Sequence, residues 1–231
     1  MKGPKINLAL LAAQIGGMFV VFAAALFLAA GTVAWLAGWA FLLLFFGFVV
    51  ALSAWLLRHD PGLLTERMTG VGKANQKSWD KALYALANLL FLAWLVWMPL
   101  DAVRLQWSRV PAWVQVAGAV ALLGSFYLFY LTFRENSYLS PAVRVQAERG
   151  QQVVSTGPYR YVRHPMYATA IIFVIGTSLL LGSWYGLFCG VPLIGLIAWR
   201  AVLEERTLRE ELPGYNDYIA RVRYRLIPHV W

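Results

Sequence analysis

The stretch Gly157-Pro158-Tyr159-Arg160-Tyr161-Val162-Arg163-His164-Pro165-Met166-Tyr167 sets two arginines, a histidine and three tyrosines directly before an apolar run. The residue before a proline is biased away from helical geometry, whereas proline itself suits a first helical turn. Pro165 is therefore read as the opening of a helix whose unpaired N–H groups face a polar mouth. Such a helix start offers backbone donors and partial positive charge, a setting for a carboxylate. The same residues also fit a plainer reading, with Arg160, Arg163 and His164 as positive flanks and the tyrosines as interface anchors.

Working outward, the chain is 60% hydrophobic and only 13% charged over 231 residues, with a mean hydropathy of +0.60. That balance lies outside the soluble range. A bilayer-spanning helix needs roughly 20 apolar residues. Six runs qualify or come near, at 8–30, 36–57, 82–100, 112–133, 166–182 and 185–203. The fold class expected is all-α, a polytopic membrane helix bundle of about six spans. Gly182-Ser183 makes the fifth and sixth a tight hairpin. The first run is too long for an ordinary signal-peptide core and is read as a span.

The net charge of +9 follows topology rather than nucleic-acid binding. With the N-terminus inside, 18 lysines and arginines fall on the cytoplasmic side, and only Arg104 and Arg109 fall outside. This is a positive-inside bias that also puts the C-terminus inside. Cys189 is the single cysteine, and the three histidines stand far apart, so no metal site is expected. Residues 1–133 read as a four-span scaffold nearly free of ionisable groups, and residues 134–231 as the region that carries chemistry. Beyond the sixth span the helix is expected to run on to about Leu212. Pro213-Gly214 ends it, and a short amphipathic helix from Asn216 to Arg225 completes a cytoplasmic cap. The polar loop 58–81 includes Leu63-Leu64 beside Glu66 and Arg67, a pattern that suits the membrane surface.

A second constellation, Trp199-Arg200-x-x-x-Glu204-Glu205-Arg206, leaves the end of an apolar run. The i, i+4 spacing puts Arg200 and Glu204 on one helical face, where they are able to pair. Alone, such a pair is equally an exposed ion pair worth roughly 0–1 kcal/mol.

Taken together, Val153-Val154-x-Thr156-Gly157-Pro158-Tyr159, Arg163-His164-Pro165-x-Tyr167, Arg200-x-x-x-Glu204-Glu205 and the ending Gly214 to Pro228 resemble the isoprenylcysteine carboxyl methyltransferase family. These are integral-membrane enzymes that use S-adenosylmethionine. The resemblance covers the chain closely from Gln151 onward. It implies a cofactor site built from Gln151, Gln152, Val153, Val154, Tyr159, His164, Pro165, Met166 and Tyr167. Glu204 would hold the cofactor, with Glu205 as a second candidate, and Arg200 would face the methyl acceptor. Arg200 and Glu204 are the catalytic candidates. Two departures stand out: Thr169 replaces a common glycine, and Gln151 stands where eukaryotic members tend to have histidine.

The function expected is methyl transfer from S-adenosylmethionine to a lipophilic, membrane-delivered acceptor such as a prenylcysteine-like carboxylate. Partners are then a lipid-like substrate and membrane lipids, in a prokaryotic cytoplasmic membrane with the site facing the cytoplasm. An amine of a phospholipid and a small thiol stay open as acceptors. Membrane sterol reductases, which use a nicotinamide, share some likeness at the C-terminal end but are usually longer. A non-enzymatic scaffold is the remaining class.

Overall fold

The computed structural model describes residues 6–70, 72 and 75–231; Lys2, Lys5 and Lys73 of the charge count lie outside these. In chain order the helices are α1 (Leu8–Ala30), α2 (Leu36–His59), α3 (Pro61–Thr69), α4 (Ser78–Pro99), α5 (Ala112–Glu135), α6 (Pro165–Leu180), α7 (Trp184–Glu211) and α8 (Tyr215–Arg221). No strand occurs among the described residues. Five helices, α1, α2, α4, α5 and α7, are long and apolar enough to cross a membrane. Thus the chain is a multi-pass membrane protein. The sixth expected span, α6, has 16 residues, about 24 Å at 1.5 Å per residue, short of the roughly 20 residues a full crossing needs.

Local chemistry sets the helix ends. The Asn7 side chain accepts a hydrogen bond from Leu10 N and caps α1, which Gly31 closes in the left-handed region at φ 73°. Gly182 at φ 79° turns α6 into α7, and the Ser183 hydroxyl then accepts from Gly186 N at 2.8 Å to cap α7. This is the tight hairpin that Gly182-Ser183 predicts.

The bundle interior is aromatic. Phe22, Phe41, Phe46, Trp94, Phe126 and Phe173 are buried in one cluster, with Phe48 stacked on Phe126 at 4.6 Å between ring centroids. α5 and α6 approach most closely where Gly118 meets Gly176. A Cβ on Gly118 would lie 2.5 Å from Leu180 N, and one on Gly176 2.7 Å from Leu122 N. Thr169, on the same helix as Gly176, is buried. Since backbone atoms cannot yield cheaply, Gly118→Ala is expected to destabilise the bundle by roughly 1–3 kcal/mol. Thermal unfolding in detergent checks this against Gly16→Ala, where nothing lies within 4 Å and no loss is expected.

At one end of the bundle, the α6–α7 hairpin meets the end of α4 through Asp101, which accepts from Ser108 Oγ at 2.6 Å and Ser183 Oγ at 2.5 Å. The polar elements gather at the other end: α3, the start of α4, residues 136–164, the end of α7, and α8. The loop 58–81 is not irregular throughout, because Asp60 caps α3 by accepting from Leu63 N at 2.9 Å. Leu63 and Leu64 then pack inward with Leu56 and Phe133, rather than lying along a surface.

Candidate functional site

At the polar end a cleft of about 810 Å³, counting its open mouth, lies between residues 136–154, the start of α6 and the end of α7. Gln151, Gln152, Val153, Val154, Tyr159, His164, Pro165, Met166, Tyr167, Arg200 and Glu204 all line it. The His-Pro dipeptide behaves as its chemistry dictates. His164 is non-helical at φ −125°, and Pro165 occupies the first turn of α6. The backbone is fixed there from outside, since Arg163 N donates to Tyr224 O and His164 N to Arg225 O, both at 2.9 Å.

On α7, Arg200, Glu204 and Leu208 recur at the helical repeat and face the cleft. Arg200 and Glu204 do not pair directly; they meet at the Tyr167 hydroxyl. Tyr167 Oη donates to Glu204 Oε2 at 2.6 Å and accepts from Arg200 Nη1 at 3.0 Å. Arg200 Nε donates to Asp80 Oδ1 at 2.8 Å, and Nη2 to Pro141 O at 2.7 Å. A guanidinium has five N–H groups, so one donor on each terminal nitrogen remains for a ligand.

Glu205 points elsewhere. Its carboxylate accepts from Arg163 Nε at 3.1 Å and Arg225 Nε at 2.9 Å, and it is only 2% exposed. It is absent from the cleft lining. One step along a helix turns a side chain by about 100°, which takes Glu205 from the cleft into an ion cluster with the C-terminal segment.

Two polar atoms on the cleft wall are orphaned. His164 Nε2 stands 3.9 Å from Glu205 Oε2, beyond hydrogen-bond reach, and neither it nor the Tyr215 hydroxyl has a hydrogen-bond partner among the described residues. Buried polar atoms without partners are costly, and a ligand is one way to satisfy them. Burial also raises the Tyr159, Tyr215 and Tyr218 phenols above their ordinary value, so they stay protonated donors. Tyr218 uses its proton on Tyr159 O at 2.7 Å, while Asn136 Nδ2 donates to Tyr159 Oη at 2.8 Å. Gln151 is partly committed already, its Oε1 accepting from Gln146 N at 2.7 Å.

The site is also braced from outside residues 134–231. Asp80, in the first turn of α4 and fully buried, accepts from Arg200, from Gln76 Nε2 at 2.8 Å and from Val143 N at 2.8 Å. It ties α4, the loop over the cleft and α7 into one unit. Nearby, Arg144 Nη2 donates to Glu66 Oε1 at 3.0 Å and Oε2 at 3.1 Å, a forked pair that fastens the same loop to α3. The only sequence signal for Asp80 is a carboxylate inside Trp79-Asp80-Lys81 at the threshold of an apolar run. Asp80→Asn is expected to free that loop, read as faster amide exchange at Val143 with α1 and α2 unchanged.

Comparison with known proteins adds two findings. A Delta(14)-sterol reductase of Mus musculus is 28% identical to this chain over an alignment covering 59% of the chain and 37% of the relative. The chain therefore spans well under two thirds of that relative's length. Residues 113–213 match the family described as phospholipid methyltransferase. That interval takes in every cleft-lining residue except Tyr215 and Tyr218, and it leaves Asp80 outside.

Proposed function

We propose that the protein is a membrane methyltransferase that takes its methyl group from S-adenosylmethionine and passes it to a lipophilic acceptor bearing a carboxylate. The observation that carries this reading is the Arg200–Tyr167–Glu204 chain, set where a polar cleft meets an apolar chamber. Met166 lines both spaces. A water-soluble donor and a lipid-borne acceptor need such a junction.

The cleft residues fit the cofactor. Glu204 Oε1 and the Tyr215 hydroxyl offer acceptor and donor groups for a polar, zwitterionic ligand, and Val153, Val154 and Leu208 offer apolar wall. S-adenosylmethionine supplies an activated methyl on a sulfonium, whose departure as a neutral thioether needs no acid. The chain's own task is then alignment and exclusion of water, and proximity provides much of the rate. Arg200 presents its two remaining donors to the acceptor anion, and Asp80 and Pro141 O hold the guanidinium still. Glu204, kept in place by Tyr167, serves the cofactor side. A carboxylate is ionised at neutral pH, so no general base is required.

The positive-inside charge bias supports a cytoplasmic position for this end of the bundle, where the cofactor is available. The matched family's description favours a phospholipid amine as the second reading; that acceptor would need a proton removed first, and Glu204 is the carboxylate within reach of the cleft. A nicotinamide-dependent reduction ranks below both.

Calorimetry of S-adenosylhomocysteine on the purified full chain tests the reading, with NADPH as the control ligand. Micromolar binding that Glu204→Ala weakens by about tenfold or more is expected, in keeping with loss of a charge-assisted hydrogen bond. Binding of NADPH alone would transfer the assignment to a reductase.

A further inference from the structure

Beside the polar cleft lies a chamber of about 1660 Å³, counting its open side, bounded by α1, α2, α3, α4, α5 and α6. Phe45, Phe48, Phe91, Phe126, Phe129 and Phe173 supply much of its wall. Among its described lining residues Arg67, on α3, is the one that carries a charge. Its neighbour Glu66 is engaged with Arg144, and among the described residues Arg67 has no ion-pair partner. The guanidinium lies over the Phe133 ring, 4.7 Å from its centroid, and Nη1 donates to Leu139 O at 3.0 Å.

An unneutralised cation on an apolar wall is expensive to keep. Burial lowers the Arg67 pKa, Tyr84 opposes that, and the positive charge of Arg200 adds to it. Arg67 and Arg200 also grip the same short loop, one at Leu139 O and the other at Pro141 O. Arg67 lines the chamber and Arg200 the cleft, Met166 lines both, and of the two guanidiniums Arg200 is the one paired with a carboxylate, Asp80.

We infer that the chamber is the acceptor's binding site and that Arg67 is its second anchoring cation, selecting an amphiphile with a carboxylate head and a long apolar tail. The carboxylate sits between Arg67 and Arg200, and the tail lies along the phenylalanines. This deepens the methyltransferase reading and rests on it for the carboxylate. It assigns a specificity-determining role to a residue in the N-terminal half, outside the matched interval 113–213.

The probes are radiolabelled oleate and methyl oleate, bound at equilibrium to the full chain in phosphatidylcholine nanodiscs and corrected for empty discs. Oleate is expected to bind about tenfold more tightly than its ester, the scale of one charged hydrogen bond. Arg67→Gln should erase that preference and Arg67→Lys should retain part of it. Phe129→Trp, which fills the chamber, should weaken both probes while leaving S-adenosylhomocysteine affinity intact. Equal binding of acid and ester by the wild type, a preference that survives Arg67→Gln, or indifference to Phe129→Trp would each overturn the inference. Displacement of oleate by dioctanoyl phosphatidylglycerol at equal potency would make this a phospholipid site and overturn the carboxylate assignment. Because S-adenosylhomocysteine binding is read separately, failure of the methyltransferase reading alone would leave the acid-over-ester preference standing.

Discussion

Glu205→Ala is expected to lower stability by about 3–5 kcal/mol, the cost of stranding buried cations. Its neighbour Glu204→Ala should leave the thermal midpoint nearly unchanged. Glu205 is 2% exposed and Arg163 7% exposed, and Arg225 and, at 3.7 Å, Arg209 join Arg163 at the Glu205 carboxylate. Arg163 also donates through Nη1 to Val222 O at 2.8 Å and Arg223 O at 2.7 Å. Without Glu205 the positive charge has no counterion, and the segment after α8 loses its hold on the start of α6. Thermal unfolding in detergent, with limited proteolysis after α8, reads the result. Equal midpoints for the two variants would show that the cluster is not a structural hub. The functional readout should run the other way: S-adenosylhomocysteine binding weakens by about tenfold or more in Glu204→Ala, whereas Glu205→Ala loses it only to the extent that it unfolds.

That contrast marks the boundary of what the sequence made legible. Apolar runs predicted α1 and α2 to within two residues at each end, because uninterrupted hydrophobicity is a local signal. The His164-Pro165 turn was legible for the same reason, as proline geometry constrains its own neighbours. The Arg200–Glu204 spacing correctly placed both side chains on one face, yet their partners came from elsewhere. Asp80 is 120 residues from Arg200 in the chain, and nothing local to either residue announces the contact. Tyr167 stands between the two members of the expected pair and bonds to both. Whether Glu204 or Glu205 faced the cleft depended on the direction from which α6 and the C-terminal segment approach α7. The pattern Leu63-Leu64 beside Glu66 and Arg67 suits a membrane surface, and it does not announce the contacts of Glu66 with Arg144 and Arg67 with Leu139 O, which are 78 and 72 residues away in the chain.

Arg200→Lys should be the most informative change for chemistry. It is expected to lower methyl transfer by about 10²–10³, as removal of one aligned transition-state donor does, while S-adenosylhomocysteine affinity stays within about threefold. Arg200 reaches three segments through three different nitrogens: Asp80 on α4, Pro141 O in the loop and Tyr167 on α6. Lysine keeps the charge but concentrates its donors on one nitrogen, so it cannot hold Asp80 and also present a fork to an anion. Glu204 keeps its bond from the Tyr167 hydroxyl when Arg200 becomes lysine, hence the split between transfer and binding. Arg200→Ala is a poorer test, since it would leave the fully buried Asp80 carboxylate without its cation. That variant should lose about 3–5 kcal/mol of stability, and Asp80→Asn in the same chain should recover part of it. Recovery of stability without recovery of transfer would separate the guanidinium's structural role from its role toward the acceptor. If Arg200→Lys instead transfers methyl at the wild-type rate, the acceptor is not held by a guanidinium fork, and the amine reading gains the ground that the carboxylate loses.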